Sequence, residues 1–61
     1  MDKVSVAYST TCLDKRNGTI LMEREVEAIN KDEAEARALL NCLRAGNKLD
    51  DVTVDAKRKI L

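Results

Sequence analysis

The chain reads as an α+β domain of order β-β-α-β: a three-stranded antiparallel sheet, strand order 2-1-3, with one helix packed on one face. Three observations predict it. Apolar residues alternate with period two in three segments, Asn17-Gly18 joins the first two, and a capped stretch of helical period separates the second from the third. With 61 residues, the chain is expected to form one domain burying about 60% of its unfolded surface. A chain that short has little room for an enclosed substrate cavity, so its working surface is expected to be an exposed face, a strand edge or an oligomer interface.

The first strand runs over Lys3 to Leu13, with Val4, Val6, Tyr8, Thr10 and Cys12 on one face and Ser5, Ala7, Ser9 and Thr11 on the other. Asp14 to Gly18 forms the turn, because Asn-Gly tolerates positive φ. The second strand, Thr19 to Ile29, places Ile20, Met22, Val26 and Ala28 inward, with Glu23, Glu25 and Glu27 in water. Leu21 and Arg24 break that alternation. Either a bulge shifts the phase locally, or Arg24 lies at the rim with its stem on the core.

The helix is expected over Lys31 to Ala45. Asn30 can accept from the Glu33 backbone N–H while the Glu33 side chain reaches back to Asn30, and Gly46 closes the last turn. Ala36, Leu39, Leu40 and Leu43 recur at i, i+3, i+4 and i+7, the stripe expected to cover the sheet. Arg37, Asn41 and Arg44 make a polar side. Ala34, Ala38, Cys42 and Ala45 form a small-residue side, read as helix propensity or as an interface with another copy.

After Gly46, Leu49 is expected to tuck under the loop before a third strand, Val52 to Leu61. Val52, Val54, Ala56 and Ile60 face inward there, Arg58 interrupts them, and Thr53, Asp55, Lys57 and Lys59 face out. A right-handed crossover then sets the third strand antiparallel to the first.

Charge separates the function classes. Lys plus Arg and Asp plus Glu number 11 each, so no net field draws the protein to nucleic acid or a membrane. The distribution is uneven: six acids against two bases between Thr19 and Glu35 give −4, and six bases against three acids from Ala36 onward give +3. Lys57, Arg58 and Lys59 alternate faces on a strand, and Tyr8, the one aromatic residue, points inward, so nucleic-acid binding is disfavoured. There is no histidine to activate Ser5, Ser9, Thr10 or Thr11 as a nucleophile, and the exposed glutamates lack the burial that would divide acid and base roles between them. No cofactor or metal is implied. Cys12 and Cys42 are expected as reduced, packed thiols in a cytoplasmic protein, since no secretory segment opens the chain; a disulfide is the alternative for an exported one. The longest apolar run is too short to span a bilayer.

The hairpin, the helix start Asn30, Asp32, Glu33, Ala34 and the closing Val52-x-Val54 strand resemble small phage-encoded host-takeover proteins, such as the phage inhibitor of bacterial RNA polymerase and anti-CRISPR proteins. That polymerase inhibitor's tryptophans and histidine have no counterpart here, so no functional residue is carried over. The resemblance implies a compact inhibitor that occludes a partner's surface. From the residues, the expected partner site is Leu21, Glu23, Arg24, Glu25 and Glu27 on the acidic face and edge of the second strand, meeting a protein with a basic groove. A homodimer through Ala34, Ala38, Cys42 and Ala45, or through a strand edge, is the alternative.

Overall fold

The computed structural model describes residues 4–59, so Ile60, expected on the inner face, lies outside the described residues. Strands β1 (Val6–Asp14), β2 (Ile20–Ala28) and β3 (Val52–Arg58) form one antiparallel sheet in the order β2-β1-β3, and helix α1 (Lys31–Arg44) packs on one face. This is the ββαβ arrangement that periodicity and crossover handedness predict. β1 is central, and β2 and β3 are both edges.

Local chemistry accounts for the joints. The hairpin loop closes by Gly18 N–H to the Asp14 carbonyl at 2.8 Å and Asp14 N–H to Thr19 O at 2.8 Å, with Gly18 at φ 72. Asn17 Oδ1 accepts from Thr19 N–H at 2.9 Å, the Asx bond that makes Asn-Gly a turn former. At the helix start, Asn30 Oδ1 accepts from Glu33 N–H at 2.8 Å. Glu33 Oε1 reaches one residue further back than a capping box requires, to Ile29 N–H at 3.3 Å. The helix ends in a Schellman motif: Gly46 at φ 100 donates to Leu43 O at 3.0 Å, and Asn47 N–H to Cys42 O at 3.4 Å.

Registration explains both breaks in β2. Cys12 stands opposite Met22, but Leu13 stands opposite Ile20, so Leu21 is the extra residue of a bulge. Ile20 is thereby carried to the outer face beside Leu13, against the expectation that it points inward, and is exposed. Arg24 stays in phase on the helix side, opposite Thr10. The buried Thr10 hydroxyl donates to the Arg24 carbonyl at 2.6 Å, which satisfies the one buried polar side chain in the described core.

The helix is turned away from its expected orientation. Ala34, Ala38 and Cys42, at i, i+4 and i+8, are its buried residues, whereas Leu40 is 49% exposed, Ala36 is exposed, and Leu39 and Leu43 are only half-buried. The core divides into a cluster of Tyr8, Ala28, Ala34 and Ala56, flanked by Val6 and Val26, and a cluster of Cys12, Cys42 and Val52, flanked by Met22, Leu39 and Val54. Leu49, at 58% exposure, does not fold under its loop; it opens a short 3-10 turn, Leu49–Asp51.

Cys12 and Cys42 are joined in a disulfide, with Cα atoms 6.5 Å apart. This replaces the expectation of free thiols. Strand parity points Cys12 inward from the central strand, and the rotated helix sets Cys42 directly above it, within the span a disulfide bridges. Asn47 Nδ2 donates to Cys42 O at 3.1 Å and contacts its Sγ at 3.4 Å, tying the helix end to the same corner.

Candidate binding surface along strand β2

Strand β2 has no neighbour on its outer side among the described residues. Its two faces differ in sign. On the face without the helix, Glu23, Glu25 and Glu27 stand opposite Thr11, Ser9 and Ala7, and all three glutamates are exposed. The small partners leave the carboxylates standing above the central strand. Lys59 Nζ reaches across β1 to Glu25 Oε2 at 2.6 Å, so one of the three is engaged while no ion pair holds Glu23 or Glu27 among the described residues. Leu21, pushed out by the bulge, joins Ile20 as an exposed apolar pair at the hairpin end of this strand.

On the helix side, Arg24 lies among different neighbours. Two adjoining cavities of about 460 and 270 Å³ run between β2 and α1. Val26, Glu27, Arg37 and Leu40 line the first, Met22, Arg24 and Ala45 line the second, and Asn41 and Arg44 line both. Arg37 is shared with Glu33 at 3.5 Å, in an i, i+4 pair. Arg24 and Arg44 have no ion-pair partner among the described residues. The result is a mainly polar groove with three arginines, Glu27 of the edge strand at its rim, and Met22, Val26, Leu40 and Ala45 as its apolar part.

The expected partner residues therefore do not form one patch. Glu23, Glu25 and Glu27 share a face, Leu21 borders it, and Arg24 belongs to the groove on the opposite side. Arg37 and Arg44, taken from the sequence as merely solvated, complete that groove; the signal for it was the single basic residue interrupting the apolar face of β2. The small-residue helix side is likewise revised. Ala34, Ala38 and Cys42 are occupied by this chain's own sheet, so they present no face to another copy, and Ala45 alone of that set is exposed.

Chemically the surface offers charge and a strand edge. Among the described residues, no group of three or more His, Cys, Asp or Glu is arranged to hold a metal ion. No described helix is long and apolar enough to cross a membrane. No protein-family model, curated protein or solved structure matches this chain.

Proposed function

We propose that this protein is a small non-enzymatic binding module that takes a partner protein along the free edge of β2, with an inhibitory, surface-occluding role of the kind the phage host-takeover resemblance implies. The observation that carries the reading is the exposed edge strand with three glutamates in register on one face. An edge strand offers unpaired backbone groups to an incoming segment, which supplies affinity, while side chains on either face set specificity. The glutamates favour a partner with basic side chains on that face and accelerate its approach. Leu21 and Ile20 supply apolar contact at one end.

The disulfide bears on the setting. A Cys12–Cys42 bond supports a protein that works in an oxidising compartment rather than in the cytoplasm, where thiols are kept reduced. An inhibitory role is then directed at a target the protein meets after oxidation.

The test is affinity capture from a host lysate with the native chain and with Glu23→Lys, Glu25→Lys side by side. The double reversal should lose the captured protein and flatten the salt dependence of its elution. Its melting temperature should change little, since the single exposed pair it removes, Glu25–Lys59, is worth at most about 1 kcal/mol. A double variant that captures the same protein, eluting at the same salt, refutes the assignment.

A further inference from the structure

We infer that the other free edge, β3, is a self-pairing surface, and that two copies join there about a two-fold axis through Ala56, doubling the three-stranded sheet and leaving β2 free at either end. The two edges differ in what they permit. In an antiparallel pair, residues opposite one another share a face, so β2 against its own copy sets Glu23 against Glu25 when centred on Arg24, or Glu25 against itself and Glu23 against Glu27 when centred on Glu25. Like charges in those positions oppose pairing. The β3 edge has the reverse property. A two-fold axis at Ala56 sets Asp55 of each copy, whose only partner in its own chain among the described residues is the exposed Lys31 at 4.0 Å, against Lys57 of the other, so the attractive pair occurs twice.

The backbone phase agrees. Lys59 N–H donates to Ala7 O at 3.0 Å and Lys15 N–H to Asp51 O at 2.9 Å, and β1 pairs Thr11 with Asp55 and Ser9 with Lys57. Because hydrogen-bonded positions alternate along an antiparallel ladder, Thr53, Asp55 and Lys57 bond to β1. Val54, Ala56 and Arg58 therefore turn their N–H and C=O groups toward the open edge. Pairing about Ala56 makes Ala56–Ala56 and Val54–Arg58 the hydrogen-bonded partners. Asp55 and Lys57 fall in the closer, non-hydrogen-bonded position, where side chains interact most strongly.

The helix supplies the second half of the surface. Ala36, Leu39 and Leu43, spaced i, i+3 and i+7, form an apolar stripe of which Ala36 is exposed and Leu39 and Leu43 are half-buried. Leu39 packs on the cluster that joins Val52 to Cys12 and Cys42, and on the helix it lies across the buried Ala34, Ala38 and Cys42 from Arg37, Asn41 and Arg44 of the β2 groove, on the side toward β3. A second copy on the β3 edge brings the two stripes toward each other, an isologous contact in which the same patch serves both chains. The occupant is thus a second copy rather than an unrelated strand, because only self-pairing uses the Asp55–Lys57 symmetry.

Sedimentation equilibrium of the native chain from about 1 µM to about 1 mM, the range of weak to moderate association, should show monomer giving way to dimer. Lys57→Asp sets Asp against Asp twice and Asp55→Lys sets Lys against Lys twice, and each should weaken the dimer about tenfold or more. Mixed in equal amounts, these two variants restore both attractive pairs and should associate about as tightly as the native chain. A variant that had merely misfolded would not recover on mixing. Glu23→Lys, Glu25→Lys should dimerise as the native chain does, which separates this surface from the binding edge. A native chain monomeric throughout, a dimer indifferent to Lys57→Asp, no recovery on mixing, or loss of the dimer on reversing the β2 glutamates would each overturn the inference.

Discussion

Reducing the Cys12–Cys42 disulfide should remove a third or more of the protein's stability. The two cysteines are 30 positions apart, and closing a loop of that size removes denatured-state entropy worth about 3.6 kcal/mol at 25 °C in the chain-entropy treatment. A chain of 61 residues has a total stability of about 3 to 9 kcal/mol, so the bond decides whether the fold is robust or marginal. Near the melting temperature that loss corresponds to a fall of about 15 to 30 °C. The assay is urea unfolding followed by far-ultraviolet circular dichroism at one protein concentration, with and without a phosphine reductant, alongside a thiol titration under denaturing conditions. The unreduced chain should titrate no thiols and the reduced chain two. The denaturant slope should also rise on reduction, because the unbridged denatured chain exposes more surface. Coincident midpoints, in samples whose thiols differ by two, would refute the entropic reasoning; two thiols before reduction would show that the bond does not form.

Two further substitutions probe the ends of the helix, where sequence and structure agree closely. Asn30→Ala removes the 2.8 Å acceptor for Glu33 N–H and should cost about 1 kcal/mol, read as a fall of about 4 to 8 °C in the thermal midpoint. Gly46→Ala meets no atom within 4 Å of the added Cβ, so its cost is conformational: φ 100 is foreign to an L side chain, and a loss of about 1 kcal/mol or more in a urea titration is expected.

Strand parity was the most legible feature. Alternation alone places Tyr8, Thr10 and Cys12 inward and Glu23, Glu25 and Glu27 outward, because the side-chain period of a strand admits only two faces. The helix orientation was not legible, for a physical reason. Apolar periodicity weights leucine above alanine, so Ala36, Leu39, Leu40 and Leu43 outvote Ala34, Ala38 and Cys42, although the latter are the buried set. The deciding contact joins Cys12 to Cys42 and has no local signature. The bulge lies between these extents of legibility. Leu21 and Arg24 announce a break in phase, but only registration against Cys12 and Leu13 shows that Leu21 is the inserted residue while Arg24 keeps its place. That distinction keeps Arg24 on the apolar face, where the alternation already puts it, and separates it from the glutamates that the sequence reading groups with it as one partner site.

The rotation of the helix also explains why so small a protein leaves leucines uncovered. Alanine and cysteine carry short side chains, so a face made of Ala34, Ala38 and Cys42 lets α1 settle closely onto Ala28, Ala56 and Cys12, where dispersion contacts are dense and a disulfide fits. Leucines on the same face would hold the helix further from the sheet and place Cys42 beyond bonding reach of Cys12. The close, cross-linked interface thus forces the larger apolar side chains to the helix flanks. On the β2 flank, Leu40 meets the arginine-lined groove; on the opposite flank, half-buried Leu39 packs on the cluster that includes Val52 of β3, and Leu43 is half-buried. An apolar flank beside a charge-complementary edge gains by association, since burying it adds to a core that a chain of this length can build only sparingly. The acidic edge at the opposite side of the sheet sets like charges against one another in any pairing with its own copy. On the proposed reading, a division of labour between the two edges would follow from one packing choice, the small-residue face of α1.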